Sequence, residues 1–148
     1  MEPQLMASSR IHQNIRGEKY FVFFASVGTE DGKTVTIFTP LSRLPGEIVL
    51  HVSLENFPKG VDSLDLSIFT RQDEEVWTGI YQHFKGGKYL FFFISVSVED
   101  GTKIAVYSPL YGEFAGKIVH RTIENFTEEV DRPEFDYRGP RFTAVEVF

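Results

Sequence analysis

The 148-residue chain aligns with itself at an offset of 69 positions, and this self-similarity constrains its fold more than any other feature. KYFVFFASVGTEDGK at 19–33 returns as KYLFFFISVSVEDGT at 88–102. Without a gap, Ile11–Asp62 lies against Ile80–Asp131, and 20 of those 52 positions are identical. Random pairing gives roughly 6% identity at average residue usage, against about 38% here. The match reads as a tandem duplication. Solenoids generally need three or more units. Two copies point instead to two small domains about a pseudo-twofold axis, a covalent counterpart of a homodimer.

Inside each copy the pattern is β. FVFFASV and LFFFISVSV are rich in Phe, Val and Ile and are apolar on both alternating faces, as strands buried on two sides are. Asp31-Gly32 and Asp100-Gly101 follow them as hairpin signals, because both residue types tolerate positive φ. The partner strands, Thr34–Phe38 and Lys103–Tyr107, end at Pro40 and Pro109, which cannot donate to a ladder. A variable loop then leads to a third strand, Ile48–Val52 or Ile118–Arg121. In SLENF and TIENF, Ser53 and Thr122 are placed to cap a short helix with Glu in its first turn. Closing strands are expected over Leu64–Phe69 and about Gly139–Val147. The expected fold is mainly β: two tandem SH3-like small β-barrel units, each with one short helix, related by pseudo-twofold symmetry. The expected divisions are a tail at 1–10, a degenerate first repeat at 11–70, a linker at 71–76 and a second repeat at 77–148.

Charge narrows the partners. A net charge of −6 and a pI near 5.2 argue against duplex or single-strand binding, which uses a concentrated basic footprint. One small anionic ligand held by a few local cations remains compatible. Cysteine is absent, which removes disulfides and thiolate metal sites. MEPQLMASSR has no apolar core of signal-peptide length, and the longest apolar runs are far short of a membrane span. A cytoplasmic protein without a membrane partner is expected, with homo-oligomerisation left open.

The second copy carries four short motifs in order: YQHFKGGKY at 81–89, VYSPLYG at 106–112, VHRTIENF at 119–126 and PRF at 140–142. Over about Gly79–Phe142 this order resembles the domain of unknown function family 1653, a small bacterial and phage family. Its members typically read Y-x-H-[FY]-K-G-x-x-Y, V-Y-x-x-L-Y-G, W-x-R-P-x-x-x-F and P-R-F. Val119 stands where the family has Trp, and Thr122 where it has Pro. The first copy departs further, with His12, Asn14 and Arg16 in place of Tyr81, His83 and Lys85. The resemblance supports a small β domain and a phage origin, and it implies no reaction.

Chemistry-bearing residues are few. His51 and His120 each precede a glutamate, Glu55 or Glu124, by four positions. Two ligands make a poor zinc site, so these histidines are expected to order the strand-to-helix corner. No nucleophile or cofactor motif is present, and no catalytic residue, metal or cofactor is expected. A hydrolase using His120 and Glu124 is the remaining enzymatic alternative. The binding set is Tyr81, His83, Lys85, Tyr111, Arg121 and Arg141, with Arg43 from the first copy's loop. Aromatic faces beside Arg and His suit a nucleobase and phosphate, or an acidic peptide. The leading expectation is a non-enzymatic protein that binds a small anionic, nucleotide-like ligand, such as a phage-encoded sponge for a signalling nucleotide. The alternative is a protein–protein adaptor using SH3-like grooves or strand edges.

Overall fold

The computed structural model of the protein describes residues 10–41, 48–62, 64–65, 69 and 78–148. In chain order the strands are β1 (Ile11–Gln13), β2 (Lys19–Gly28), β3 (Thr34–Pro40), β4 (Leu50–Ser53), β5 (Gly79–His83), β6 (Lys88–Ser97), β7 (Lys103–Pro109), β8 (Val119–Thr122), β9 (Glu129–Arg132), β10 (Tyr137–Pro140) and β11 (Phe142–Val147). Two short α-helices, Lys59–Asp62 and Ile123–Phe126, complete a mainly β chain. The ladder runs β6–β4–β3–β2–β8–β7 and returns to β6, the connectivity of a closed six-stranded β-barrel.

Contacts divide the chain into two compact units. The first takes in the described parts of Met1–Ser26, Lys33–Asp73 and Ser95–Thr102. In it β1 pairs antiparallel with β2, placing Ile11 opposite Phe21, and β3 pairs antiparallel with β4, placing Val35 opposite Ser53. The end of β6 runs parallel to β4, with Leu50 opposite Val96. Its core gathers Tyr20, Phe38, Ile48, Leu50, Val52, Val61 and Val96. Each such side chain contributes about 1.5–3 kcal/mol of transfer free energy when fully buried.

The second unit takes in Val27–Gly32, Glu74–Ile94 and Lys103–Phe148, again over its described residues. Here β5 pairs antiparallel with both β6 and β11, placing Tyr81 opposite Tyr89 and Phe142 opposite His83. β7 and β8 form an antiparallel pair, and the end of β2 runs parallel to β8, with Val27 opposite Val119. β9 and β10 form a separate two-stranded sheet. Tyr81, Phe91, Ala105, Tyr107, Ile123, Phe126 and Phe142 make the core.

The two parallel ladders correspond. Val96 stands 69 positions after Val27, and Val119 stands 69 after Leu50. Each compact unit therefore takes in the body of one self-aligned stretch and the hairpin tip of the other. β2 and β6, which run through both units, have ten residues each, or about 33 Å at 3.3 Å per residue. Glutamates pin the exchanged tips. Glu99 accepts the Ser53 backbone N–H at 2.9 Å, and Glu30 accepts that of Thr122 at 2.8 Å.

Local signals hold where they are chemical. Gly32 and Gly101 adopt φ of +70° and +77° at the hairpins, and Pro40 and Pro109 are the last residues of β3 and β7. The third strands lie one or two residues later than expected. The Thr122 hydroxyl caps its helix by accepting from the Asn125 N–H at 3.2 Å. Ser53 makes no such cap. Its hydroxyl donates to Glu99 instead, and a 3-10 turn, Leu54–Asn56, follows. The expected closing strand Leu64–Phe69 lies mostly outside the described residues, as does the 71–76 linker. In the second copy the closing segment is split at Arg141 into β10 and β11. Among the described residues no helix is long and apolar enough to cross a membrane.

Candidate functional site

The turn between β5 and β6 is built to present His83. Its backbone N–H donates to Gly87 O at 2.8 Å and its carbonyl accepts from Gly86 at 2.8 Å, a closure that puts Gly86 at φ +103°. The Lys85 backbone N–H donates to His83 Nδ1 at 3.1 Å. A neutral imidazole accepting at Nδ1 carries its proton on Nε2, so His83 presents an N–H donor. Its ring lies 4.3 Å from Phe84 and 5.0 Å from Phe142, centroid to centroid.

Arginines reach this imidazole from separate elements. On β8 side chains alternate, so His120 is buried while Arg121 points to the opposite face. Arg121 Nε donates to the Tyr107 hydroxyl at 2.7 Å and Nη1 donates to Asn125 Oδ1 at 2.6 Å. Its guanidinium stands 5.3 Å over the Phe142 ring. Arg141 sits between β10 and β11, where its Nε donates to the Asn125 carbonyl at 3.2 Å and its Nη2 pairs with Glu128 at 3.1 Å. Its own carbonyl accepts the Phe84 N–H at 3.1 Å, tying the turn to this corner. Arg132 of β9 lies 5.8 Å over Phe84, and Lys85 Nζ lies 5.3 Å over Phe135.

The consequence is a positive field around a neutral ring. Burial lowers the His83 pKa first, and Arg121, Arg141, Lys85 and Arg132 lower it further, to about 4. The Tyr89 hydroxyl is pushed up by burial and by Tyr107, with Arg121 pulling the other way. Glu128 neutralises one arginine. Among the described residues no carboxylate forms an ion pair with Lys85, Arg121 or Arg132, and no acceptor engages Arg121 Nη2 or Arg141 Nη1. The arrangement is a cluster of cations with aromatic rings along one side.

Of the residues expected from sequence, His83, Lys85, Arg121 and Arg141 come together. Tyr81 does not join them: it is 7% exposed and packs on Phe91 and Phe126 in the core, because its β5 position faces inward. Tyr111 is 73% exposed on the loop after β7 and makes no ring contact or hydrogen bond with the cluster. Arg43 lies outside the described residues. Sequence reasoning missed Arg132, Phe84, Phe142, Asn125 and Glu128. Phe142 was legible as the last residue of the PRF motif, and Asn125 was read only as a corner residue. Arg132 falls one position past the end of the self-alignment, where comparison of the copies is silent.

The paired histidines do something else. His51 Nδ1 lies 2.9 Å from Ser95 Oγ, and both residues are buried. Burial lowers the His120 pKa, with Asp31 and Glu30 opposing it, while Glu124 is exposed. Among the described residues no group of three or more His, Asp or Glu side chains could hold a metal. A cavity of about 400 Å³ beside β9 and β10 is lined by Glu129, Val130, Asp131 and Arg138, too acidic for the anion site.

The basic corner lies in the part of the chain that is similar to a known family. Residues 79–144 match the family described as Protein of unknown function (DUF1653). Every member of the corner, from His83 to Phe142, falls inside the DUF1653 match. A crystal structure of a DUF1653 protein from Bordetella bronchiseptica is similar at 27% identity and a TM-score of 0.45, covering 50% of this chain and 92% of that one. No curated protein matches the chain.

Proposed function

We propose that the protein is a non-enzymatic binding protein whose DUF1653 segment holds a small anionic, nucleotide-like ligand. The observation that carries this reading is the convergence of Lys85, Arg121, Arg132 and Arg141 on one imidazole, with a single carboxylate among them. In a chain of net charge −6, such a patch departs from the surroundings. Like charges held together store repulsion that an anion relieves. The finer architecture proposed with it is a pair of SH3-like units descended from one duplicated domain. The second copy keeps the site and the first serves as scaffold. Sequestration of the ligand is the role proposed with it, since among the described residues no nucleophile is placed at the cluster.

Thermal denaturation in the presence of nucleotides and simple anions tests this. A ligand at 100 times its dissociation constant stabilises by about 2.7 kcal/mol, or roughly 5–10 °C for a chain of this size. Lys85→Ala together with Arg132→Ala should remove the shift. A panel of nucleotides and inorganic anions that leaves the melt unmoved sinks the reading. One observation favours the adaptor alternative: β11 ends the strand order and leaves Val145, Val147 and Phe148 exposed, suited to strand addition. A stoichiometric protein partner lost on Val145→Lys would select it.

A further inference from the structure

Donor count and ring placement narrow the ligand further. Around His83, Arg121 Nη2, Arg141 Nη1, the Arg132 guanidinium, Lys85 Nζ and the His83 Nε2–H have no acceptor among the described residues. A carboxylate offers two oxygens and one charge. A terminal phosphate offers three oxygens in a tetrahedral spread and nearly two charges, and arginine forks match it bidentately. Beside the cations, Phe84 stacks on Tyr137 with centroids 5.4 Å apart and planes at 17°, and Phe135 meets Phe84 edge-on at 5.7 Å. Phe135 is 49% exposed. A planar ring attached to the phosphate can therefore lie against aromatic surface while its charge sits on the arginines.

Resting on the anion-binding reading above, we propose that this corner takes a phosphate monoester carried on a planar ring, in class a nucleoside 5′-monophosphate, and that binding draws a proton from solvent onto His83. The groups facing His83 are Arg121 from β8, Arg141 from the β10–β11 junction, Lys85 from its own turn and Arg132 from β9. No carboxylate acts on it. In the free protein burial first, and then these cations, hold the imidazole neutral, with its pKa at about 4. A dianion placed among them reverses the sign of the field and leaves burial alone to oppose the charged ring. The added proton lands on Nδ1, which gives up the Lys85 backbone N–H it accepted, and Nε2–H, now part of an imidazolium, donates to the phosphate with added charge.

The test is NMR titration of His83 in the full chain, its ring signals picked out from the 4 histidines with a His83→Asn variant. Reading the ring directly avoids the phosphate's own proton uptake near pH 6. The probes are adenosine 5′-monophosphate, its 3′,5′-cyclic monoanionic diester, inorganic phosphate, adenosine and acetate. The monoester should bind about tenfold or more tighter than the cyclic diester and raise the His83 titration by roughly one pH unit or more. Inorganic phosphate should raise it too, with weaker binding, and Lys85→Ala should loosen the monoester severalfold. The cyclic diester binding as tightly and moving His83 as far would overturn the monoester class while sparing anion binding. A monoester that binds and leaves the titration in place overturns proton uptake. Binding of none of the probes overturns this inference and the binding reading together.

Discussion

The β5–β6 turn of the second unit and the β1–β2 turn of the first have the same backbone and opposite electrostatics. Asn14 N–H donates to Glu18 O at 2.8 Å, as His83 N–H donates to Gly87 O. Gln13 Nε2 reaches Gly17 O at 3.1 Å, as Gln82 Nε2 reaches Gly86 O at 3.3 Å. Even the side-chain acceptor is kept: Asn14 Oδ1 takes the Arg16 N–H at 3.1 Å, where His83 Nδ1 takes that of Lys85. Around this shared turn the groups diverge. Arg16 is paired with Glu18 at 3.7 Å and Asp65 at 3.5 Å, and Asp62 acts on Tyr20. The position of Arg121 is filled by Val52, fully buried. The turn is thus a structural device that either copy uses, and the charge laid over it is what differs.

Reciprocal substitution should break that comparison most sharply. Val52→Arg places a guanidinium in the first core where Phe38 stands in place of Tyr107 and Asn56 is turned to Ser53 and Glu99, costing about 4 kcal/mol or preventing folding. Arg121→Val in the second unit loses two side-chain hydrogen bonds and should cost only about 2 kcal/mol. Urea denaturation of the pair measures both. Equal costs would mean that the two corners are not built differently.

Next in size is Asn14→Ala. Its amide donates to Leu64 O at 3.0 Å and Val61 O at 3.4 Å as well as to Glu18, and its oxygen accepts two backbone N–H groups. Removing a buried, fully bonded amide should cost about 3 kcal/mol, against about 1 for His83→Ala, whose ring accepts one backbone bond. An Asn14→Ala variant as stable as His83→Ala would show that the first copy keeps its asparagine for something other than the turn.

The exchanged tips offer a smaller contrast. Glu99 accepts from Ser53 N–H and Oγ and from Asn56 Nδ2 at 2.6 Å, whereas the hydrogen bond of Glu30 is to the Thr122 N–H. Both sit at the surface, so Glu99→Ala should cost about 1 kcal/mol and Glu30→Ala less. The Ser53 N–H and the Asn56 and Ser53 side chains lower the Glu99 pKa, with burial opposing them. Its contribution is present above the ordinary glutamate range and is lost as pH falls through the lowered value. Thermal melts should then separate Glu99→Ala from the parent less and less as the pH falls below the ordinary glutamate range.

Much of this frame was legible, and for identifiable reasons. Hairpins, strand ends and the Thr122 cap follow from local chemistry: Gly at positive φ, Pro without a donor, a hydroxyl one residue before a helix. The 69-residue offset also carried the equivalence of the turns. What sequence could not carry was which copy a strand tip packs against, because Val96 has the same pattern whether its partner is in its own copy or the other. The site was half readable for a related reason. Charged residues such as Lys85, Arg121 and Arg141 advertise themselves, but Tyr81 and Tyr111 look alike in composition while one faces the core and the other faces water. Arg132 required knowing that β9 carries its guanidinium over Phe84.

The subtlest way to sharpen the comparison is to give the second turn the residue of the first. His83→Asn keeps a side-chain acceptor for the Lys85 N–H, so stability near neutrality should change by less than about 1 kcal/mol. Its effect belongs to pH. With a folded pKa of about 4 against an ordinary value of 6.5, His83 binds a proton more readily in the unfolded chain. Acidification from 6.5 toward 4 therefore destabilises the protein through this group, and the loss levels off below 4. His83→Asn should flatten that part of the stability–pH curve. Adding Lys85→Ala to the parent instead should weaken the slope without abolishing it, since burial remains the larger cause. A parent curve already flat between pH 4 and 6.5 would mean that neither burial nor the cations hold His83 neutral in solution, and the contrast between the two turns would then be one of residue type alone.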